Sequence, residues 1–256
     1  GVLNGTTNNS TFNIAYGSTE TILNPTRSGY VFAGWTLSGA GSSMNGTTFT
    51  MGYENATLTA NWASPIPTYT YTGNSQLIDD GNGNWRIKFL TSGTLTFTNV
   101  GNGINGIDVF CVGGGGGGGG GYGPSYTGGG GGGGGYTKTS KGVTVNAGTA
   151  YSVTIGSGGT PSYAQQTAAG SGGTTSALGV SAAGGAGGYG GYYGGGVGGK
   201  GGSGGGSGGQ MYNGIDAGVG GENGGNGTNA SNGTSEGGKG QGSTTREFGE
   251  NSGTLY

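Results

Sequence analysis

The chain contains no histidine, so neither a Ser-His-Asp nor a Cys-His nucleophilic site can be assembled, and zinc or iron would lack its commonest ligand. Of the carboxylates only Asp79 and Asp80 adjoin. Neighbours on an extended chain point to opposite faces, so this pair is not placed to work as acid and base. Asp80-Gly81-Asn82-Gly83-Asn84 carries side-chain oxygens at alternate positions, as the start of a calcium loop does. Trp85 stands where that loop needs glycine and Thr91 where it needs the distal glutamate, which leaves a hairpin turn. Gly199-Lys200 and Gly238-Lys239 are each followed by glycine and make no phosphate loop. The single cysteine, Cys111, lies in the apolar run Ile107-Asp108-Val109-Phe110-Cys111-Val112 and reads as a small buried residue, without a disulfide framework. The chain is expected not to be an enzyme and to hold no catalytic residue, cofactor or metal.

Tyrosine offers a different chemistry. There are 15, among them Tyr122, Tyr126, Tyr136, Tyr163, Tyr189, Tyr192, Tyr193 and Tyr212 in a glycine-rich setting. A rigid aromatic ring with a polar tip suits contact with sugar faces or protein loops; the alternative is that these rings cover layer edges or an oligomer seam. The candidate contacts are Tyr122, Tyr126, Tyr189, Tyr192, Tyr193, Gln210, Tyr212 and Asn213. Three successive glycosylation sequons begin at Asn226, Asn229 and Asn232; they read as incidental, in a polar stretch expected to be an exposed loop. Net charge is -2 and the eight basic residues are scattered, which argues against nucleic acid and against an anionic membrane. No window approaches 18 uninterrupted apolar residues, so no membrane insertion is expected, and the first residues lack the pattern of a signal peptide.

The elements that must position these residues are unusual, because 75 of 256 residues are glycine, nine of them consecutive from Gly113 to Gly121 and eight from Gly128 to Gly135. Such segments have almost no side chain to bury, so order must come from backbone hydrogen bonds. The suitable geometry is polyglycine II, the glycine counterpart of polyproline II, with about three residues per turn and lateral bonding between neighbours. From Gly184 the sequence settles into Gly-Gly-x triplets. Here x is Ala186, Tyr189 and Tyr192, then after a slip Val197, Lys200 and Ser203, then after another Ser207 and Gln210. Each x is expected on an outward edge, each slip at a turn, and the pure glycine runs in interior helices contacted on every side. Collagen would need glycine at every third position and far more than five prolines. Strand signals flank the glycine runs on both sides, at 107–112 and then 142–145 and 150–155, so the runs interrupt a β-sandwich and their ends are fixed.

Two stretches carry family resemblances. Tyr16-Gly17-Ser18, the run from Asn24-Pro25-Thr26-Arg27 through Gly29-Tyr30-Val31-Phe32-Ala33-Gly34-Trp35, and Ala56-Thr57-Leu58-Thr59-Ala60-Asn61-Trp62 resemble the Listeria–Bacteroides repeat of the InlB B type. That resemblance implies a β-grasp-like stalk module over 1–64, with Trp35 and Trp62 in its core, on an extracellular bacterial or phage protein. A two-proline linker follows at 65–68. Farther on, Asn84-Trp85-Arg86-Ile87-Lys88-Phe89, Ser92-Gly93-Thr94-Leu95, Ile107 to Val112, Gly148 to Gly156 and Arg246-Glu247-Phe248-Gly249-Glu250 resemble the glycine-rich domain of phage tail fibre and adhesin proteins.

The architecture so implied is all-β plus polyglycine II with almost no α-helix. Sandwich strands lie in 69–112 and 136–156, and the glycine-rich region with its loops in 113–135 and 157–256. The implied function is recognition of a bacterial surface glycan or surface protein by loops on a stiff scaffold, in an extracellular homo-oligomer or fibre on a virion tail or a bacterial cell surface. The alternatives are a structural filament subunit or cell-surface adhesin, and an ice-binding protein. The last wants flat rows of small residues, which Tyr189, Tyr192, Lys200 and Gln210 interrupt.

Overall fold

The computed structural model of the chain describes residues 2–3, 10–121, 127–192, 195–208, 225–229 and 248. Among these the structure is all-β, built from several small sheets, with no α-helix and no closed barrel.

The first unit comprises Gly1–Tyr69, Leu77–Lys88 and Thr98–Ile104. Its first strands are β1 (Val2–Leu3), β2 (Thr19–Ile22), β3 (Val31–Ser38), β4 (Ser43–Asn45), β5 (Thr48–Thr50) and β6 (Thr57–Ala63). They form a four-stranded sheet in the order β1-β2-β5-β4 and an antiparallel pair, β3 with β6. In β3 the register slips between Phe32 and Trp35, and Gly34 takes φ +105, a conformation open to glycine. This bulge turns Phe32 and Trp35, three apart in sequence, to the same face, where Phe32 meets Trp35 at 5.1 Å and Trp62 at 5.9 Å between ring centres. Both tryptophans are only half-buried. Among the described residues of the unit Ile22, Phe49, Pro65 and Pro67 are buried, so the tryptophans flank its centre instead of forming it. Arg27 lies over the Tyr30 ring at 4.0 Å and closes the cluster.

After β7 (Thr68–Tyr71) come β8 (Ser75–Gly81) and β9 (Asn84–Phe89), a hairpin closed by Asn82 at φ 53 and Gly83 at φ 83, as Asn-Gly predicts. Two of the three side-chain oxygens that resemble a calcium loop, those of Asp80 and Asn82, are engaged, as is the neighbouring Asp79. Asp80 accepts two hydrogen bonds from Arg86 at 2.8 Å, Asp79 accepts one from the Gly81 amide, and Asn82 accepts one from Ser28. The bond from Arg86, with its charge, holds the Asp80 carboxyl below its ordinary value.

The second unit comprises Thr70–Gln76, Phe89–Phe97 and Asn105–Tyr256. Here β10 (Gly93–Asn99), β11 (Ile107–Val112), β12 (Thr137–Val143), β13 (Ala150–Thr154), β14 (Thr175–Ala177) and β15 (Val180–Ala182) make a five-stranded sheet, β15-β14-β13-β10-β7, and the ribbon β11-β12. The ribbon packs against β14 and β15. Phe97, Leu95 and Val153 are 0%, 1% and 2% exposed, and with Val109, Cys111, Ala177 and Val180 they form the apolar core. Burial also raises the Cys111 thiol above its ordinary pKa. The strands β14 and β15 fall inside the stretch assigned above to glycine-rich structure. Their short Thr-Ser-Ala and Val-Ser-Ala runs carry little sequence signal, yet Ala177, Val180 and Ala182 complete the core.

Beyond the sheets the glycine-rich segments bond to one another through backbone amides at intervals of three residues. Gly113, Gly116 and Gly119 donate to the carbonyls of Tyr136, Gly133 and Gly130; Gly114 and Gly117 donate to Gly173 and Gly170. The same run accepts from Gly159 and Ser162, and from Gly185, Gly188 and Gly191. Segment 127–136 likewise donates to 183–189 and 203–206 and accepts from 113–119 and 196–202. The runs are therefore not contacted on every side. Among the described residues the amides of Gly115 and Gly118 have no partner, Gly115 is exposed, and a side-chain carbon on Gly118 would meet nothing within 4 Å.

Candidate functional site

The site is built by the direction of the glycine-rich segments. Val112 of β11 leads into Gly113, Tyr136 leads into β12, β13 leads into Gly156, Thr174 leads into β14, and β15 leads into Ala183. One end of this assembly is thus continuous with sheet strands, whose partners and buried core fix it. At the opposite end Gly121 adjoins Thr127, where a side-chain carbon on the glycine would lie 2.7 Å from the Thr127 carbonyl oxygen. Gly191 donates to Gly120, Gly196 to Gly128 and Gly208 to Gly196, at 2.8, 2.9 and 2.7 Å. Gly121, Tyr192 and Gly208, which adjoin the three groups of candidate contacts in sequence, therefore lie together at this one end.

Of the candidates themselves, Tyr189 is exposed and Tyr192 half-buried. Tyr122, Tyr126, Tyr193, Gln210, Tyr212 and Asn213 lie outside the described residues. The Tyr189 backbone is held on both sides, its amide donating to Val197 and its carbonyl accepting from Gly130, so the ring projects from a pinned position. The triplet reading holds for Val197 and Lys200, which are exposed between buried glycine pairs. It fails at Ser207, which is buried. The chain reverses at Gly202–Ser203, where successive residues bond to Gly134 from opposite directions, and the outward phase then runs through Ser203 and Gly206. Ser207 is small enough to take an inward place, donating its hydroxyl to the Thr228 carbonyl at 3.4 Å. Residues 225–229 lie alongside 204–207 through amide bonds from Gly204 and Ser207, so the first sequon belongs to the scaffold and not to a free loop.

Tyr163, Gln165 and Gln166 were not among the sequence-derived contacts, yet they occupy the same end. Tyr163 is 87% exposed, the largest value among the exposed large apolar and aromatic residues described. The turn that carries it is fixed: Ser162 donates to Gly118, Gln166 to Gly190, Gly190 to Thr167, and the Thr167 hydroxyl to the Gln165 carbonyl at 3.0 Å. Gln166 takes φ 52 in this turn, which closes the reversal from segment 156–163 into 167–174. The available signal was the polar run Ser162 to Thr167 between glycine segments.

Residues 90–255 match the family described as a glycine-rich domain, a span of more than half the chain, and the protein belongs to that family. Residues 2–65 match the divergent InlB B-repeat domain. No curated protein and no solved structure matches the chain. The combination of a B-repeat with a glycine-rich domain is that of a surface or structural protein.

Proposed function

We propose that this chain is a non-enzymatic phage tail fibre or tail-tip adhesin that recognises a bacterial host surface, with the glycine-rich unit as a polyglycine II scaffold for its recognition loops. The observation that carries the reading is the polarity of that unit, anchored in strands at one end and bearing the turn 162–167 with exposed Tyr163 at the other. The three-residue ladders match the turn of a polyproline II-type helix, and no glycine of the two long runs adopts a left-handed φ among the described residues. The bonding pattern fits two layers, one holding 156–163, 113–121, 127–136 and 203–208, the other 167–174, 183–192 and 195–202. Such a scaffold is stiff without a large apolar core, so loops at its end vary in sequence while their ends stay fixed, and less ordering entropy opposes binding. The B-repeat module serves as a stalk in an extracellular oligomer or fibre.

One observation favours a second reading, a structural subunit of a surface filament: the unpartnered amides of Gly115 and Gly118 stand on an open side where another chain could bond. Binding of the labelled full chain to intact bacteria, compared with Tyr163→Ala/Tyr189→Ala, separates the two. Saturable binding lost in the double variant is the expected result; no binding to any cell, with concentration-dependent polymers in solution, would leave the filament reading.

A further inference from the structure

Among the described residues, the end that bears Tyr163 and Tyr189 carries no formal charge. Between Lys141 and Lys200 the sequence has no acidic or basic side chain, and the same is true between Asp108 and Lys138. Every described residue of the loop-bearing end in segments 113–121, 127–136, 156–174 and 183–192 falls in these stretches. Lys200 lies opposite Ala186, away from the turn. What this end does present is an aromatic ring at 87% exposure, a second exposed ring at Tyr189, and the side-chain amides of exposed Gln165 and Gln166.

From this chemistry we infer that the ligand of the loop-bearing end is a neutral glycan. The inference rests on the adhesin reading and narrows it. A phosphate- or uronate-bearing polymer would be held by Lys or Arg forks and ammonium groups, and none is here among the described residues. The apolar face of a pyranose ring packs on tyrosine, whose hydroxyl remains free to bond, while glutamine amides both donate to and accept from sugar hydroxyls. The turn 162–167 is already held by backbone bonds to Gly118 and Gly190, so Tyr163, Gln165 and Gln166 are presented in place before the ligand arrives. A charge-free contact also gives binding that salt does not screen.

The test uses the full chain on printed neutral polymers of glucose, galactose and N-acetylglucosamine beside phosphorylated and uronate polymers, with intact, periodate-treated and protease-treated bacterial cells in parallel. Expected are capture by at least one neutral polymer, an affinity unchanged within about twofold between about 0.05 and about 1 M NaCl, and loss of roughly tenfold or more in Tyr163→Ala and in Gln165→Ala/Gln166→Ala. Thermal melts of these variants at the wild-type midpoint exclude unfolding as the cause. Cell binding that survives periodate but not protease would overturn the inference in favour of a protein receptor and leave the adhesin reading standing. Capture by anionic polymers alone, screened by salt, would overturn it equally. Failure to bind any cell or polymer would remove the adhesin reading and the inference together.

Discussion

Glycine plays two distinct parts at the residue scale. Gly34 and Gly83 serve a bulge and a turn through positive φ, whereas the glycines of the long runs are required by space. A side-chain carbon on Gly116 would collide with the Ala186 carbonyl oxygen, and on Gly132 with that of Gly116. The hydrogens in those places point at the oxygens, and such Cα–H contacts add to the amide bonds. Gly118 differs, since the same carbon meets open space there. Gly116→Ala is therefore expected to destabilise by about 2 kcal/mol or more as an overpacked site. Gly118→Ala should be neutral or slightly stabilising, by up to about 1 kcal/mol through the unfolded chain. Urea unfolding of the two variants checks the contrast. The sequence displayed that side chains were excluded from these runs but could not display which third of the positions faced outward, because identical residues carry no phase. Cys111 gives a second residue-level outcome: buried and with its thiol pKa raised, it should react slowly with a disulfide reagent at neutral pH and quickly in denaturant.

At the scale of elements the outward edge was legible wherever x is too large to sit inside. Val197 and Lys200 could only face out, and they set the phase of segment 195–202. Beyond it the serines misled, since a four-residue step from Ser203 to Ser207 reads as a slip while the reversal occurs earlier and Ser207 turns inward. Gly199→Ala, aimed at the Ala186 carbonyl, should lower the unfolding midpoint markedly, whereas Val197→Ser should leave it nearly unchanged; circular dichroism melts decide the matter. The β8–β9 hairpin was legible from Asn82-Gly83, but the Arg86 partner of Asp80 was not, because it depends on strand register. Bonding to Arg86 lowers the folded-state pKa of Asp80, so the contribution is present at neutral pH and is lost as pH falls through that lowered value. Wild type and Asp80→Asn should accordingly differ slightly in melting temperature at neutral pH and converge in acid.

Across the whole molecule the two family-bearing regions were readable from strand motifs, since Gly34-Trp35 and Ile107 to Val112 occupy the bulge and the core strand that those patterns require. Strands β14 and β15 were not readable, being three residues each and nearly featureless. The loop-bearing end became visible only when segment directions were known, for Tyr163 and Tyr189 are separated in sequence and united by the return of the chain past Gly120 and Gly190. Everything proposed for this protein depends on a glycine lattice held by backbone bonds. Residue-resolved amide hydrogen exchange over 113–121 tests that lattice most directly. Protection is expected at Gly113, Gly114, Gly116, Gly117 and Gly119, interrupted by fast exchange at Gly115 and Gly118. Uniformly fast exchange along the run, or protection that ignores the three-residue period, would contradict it.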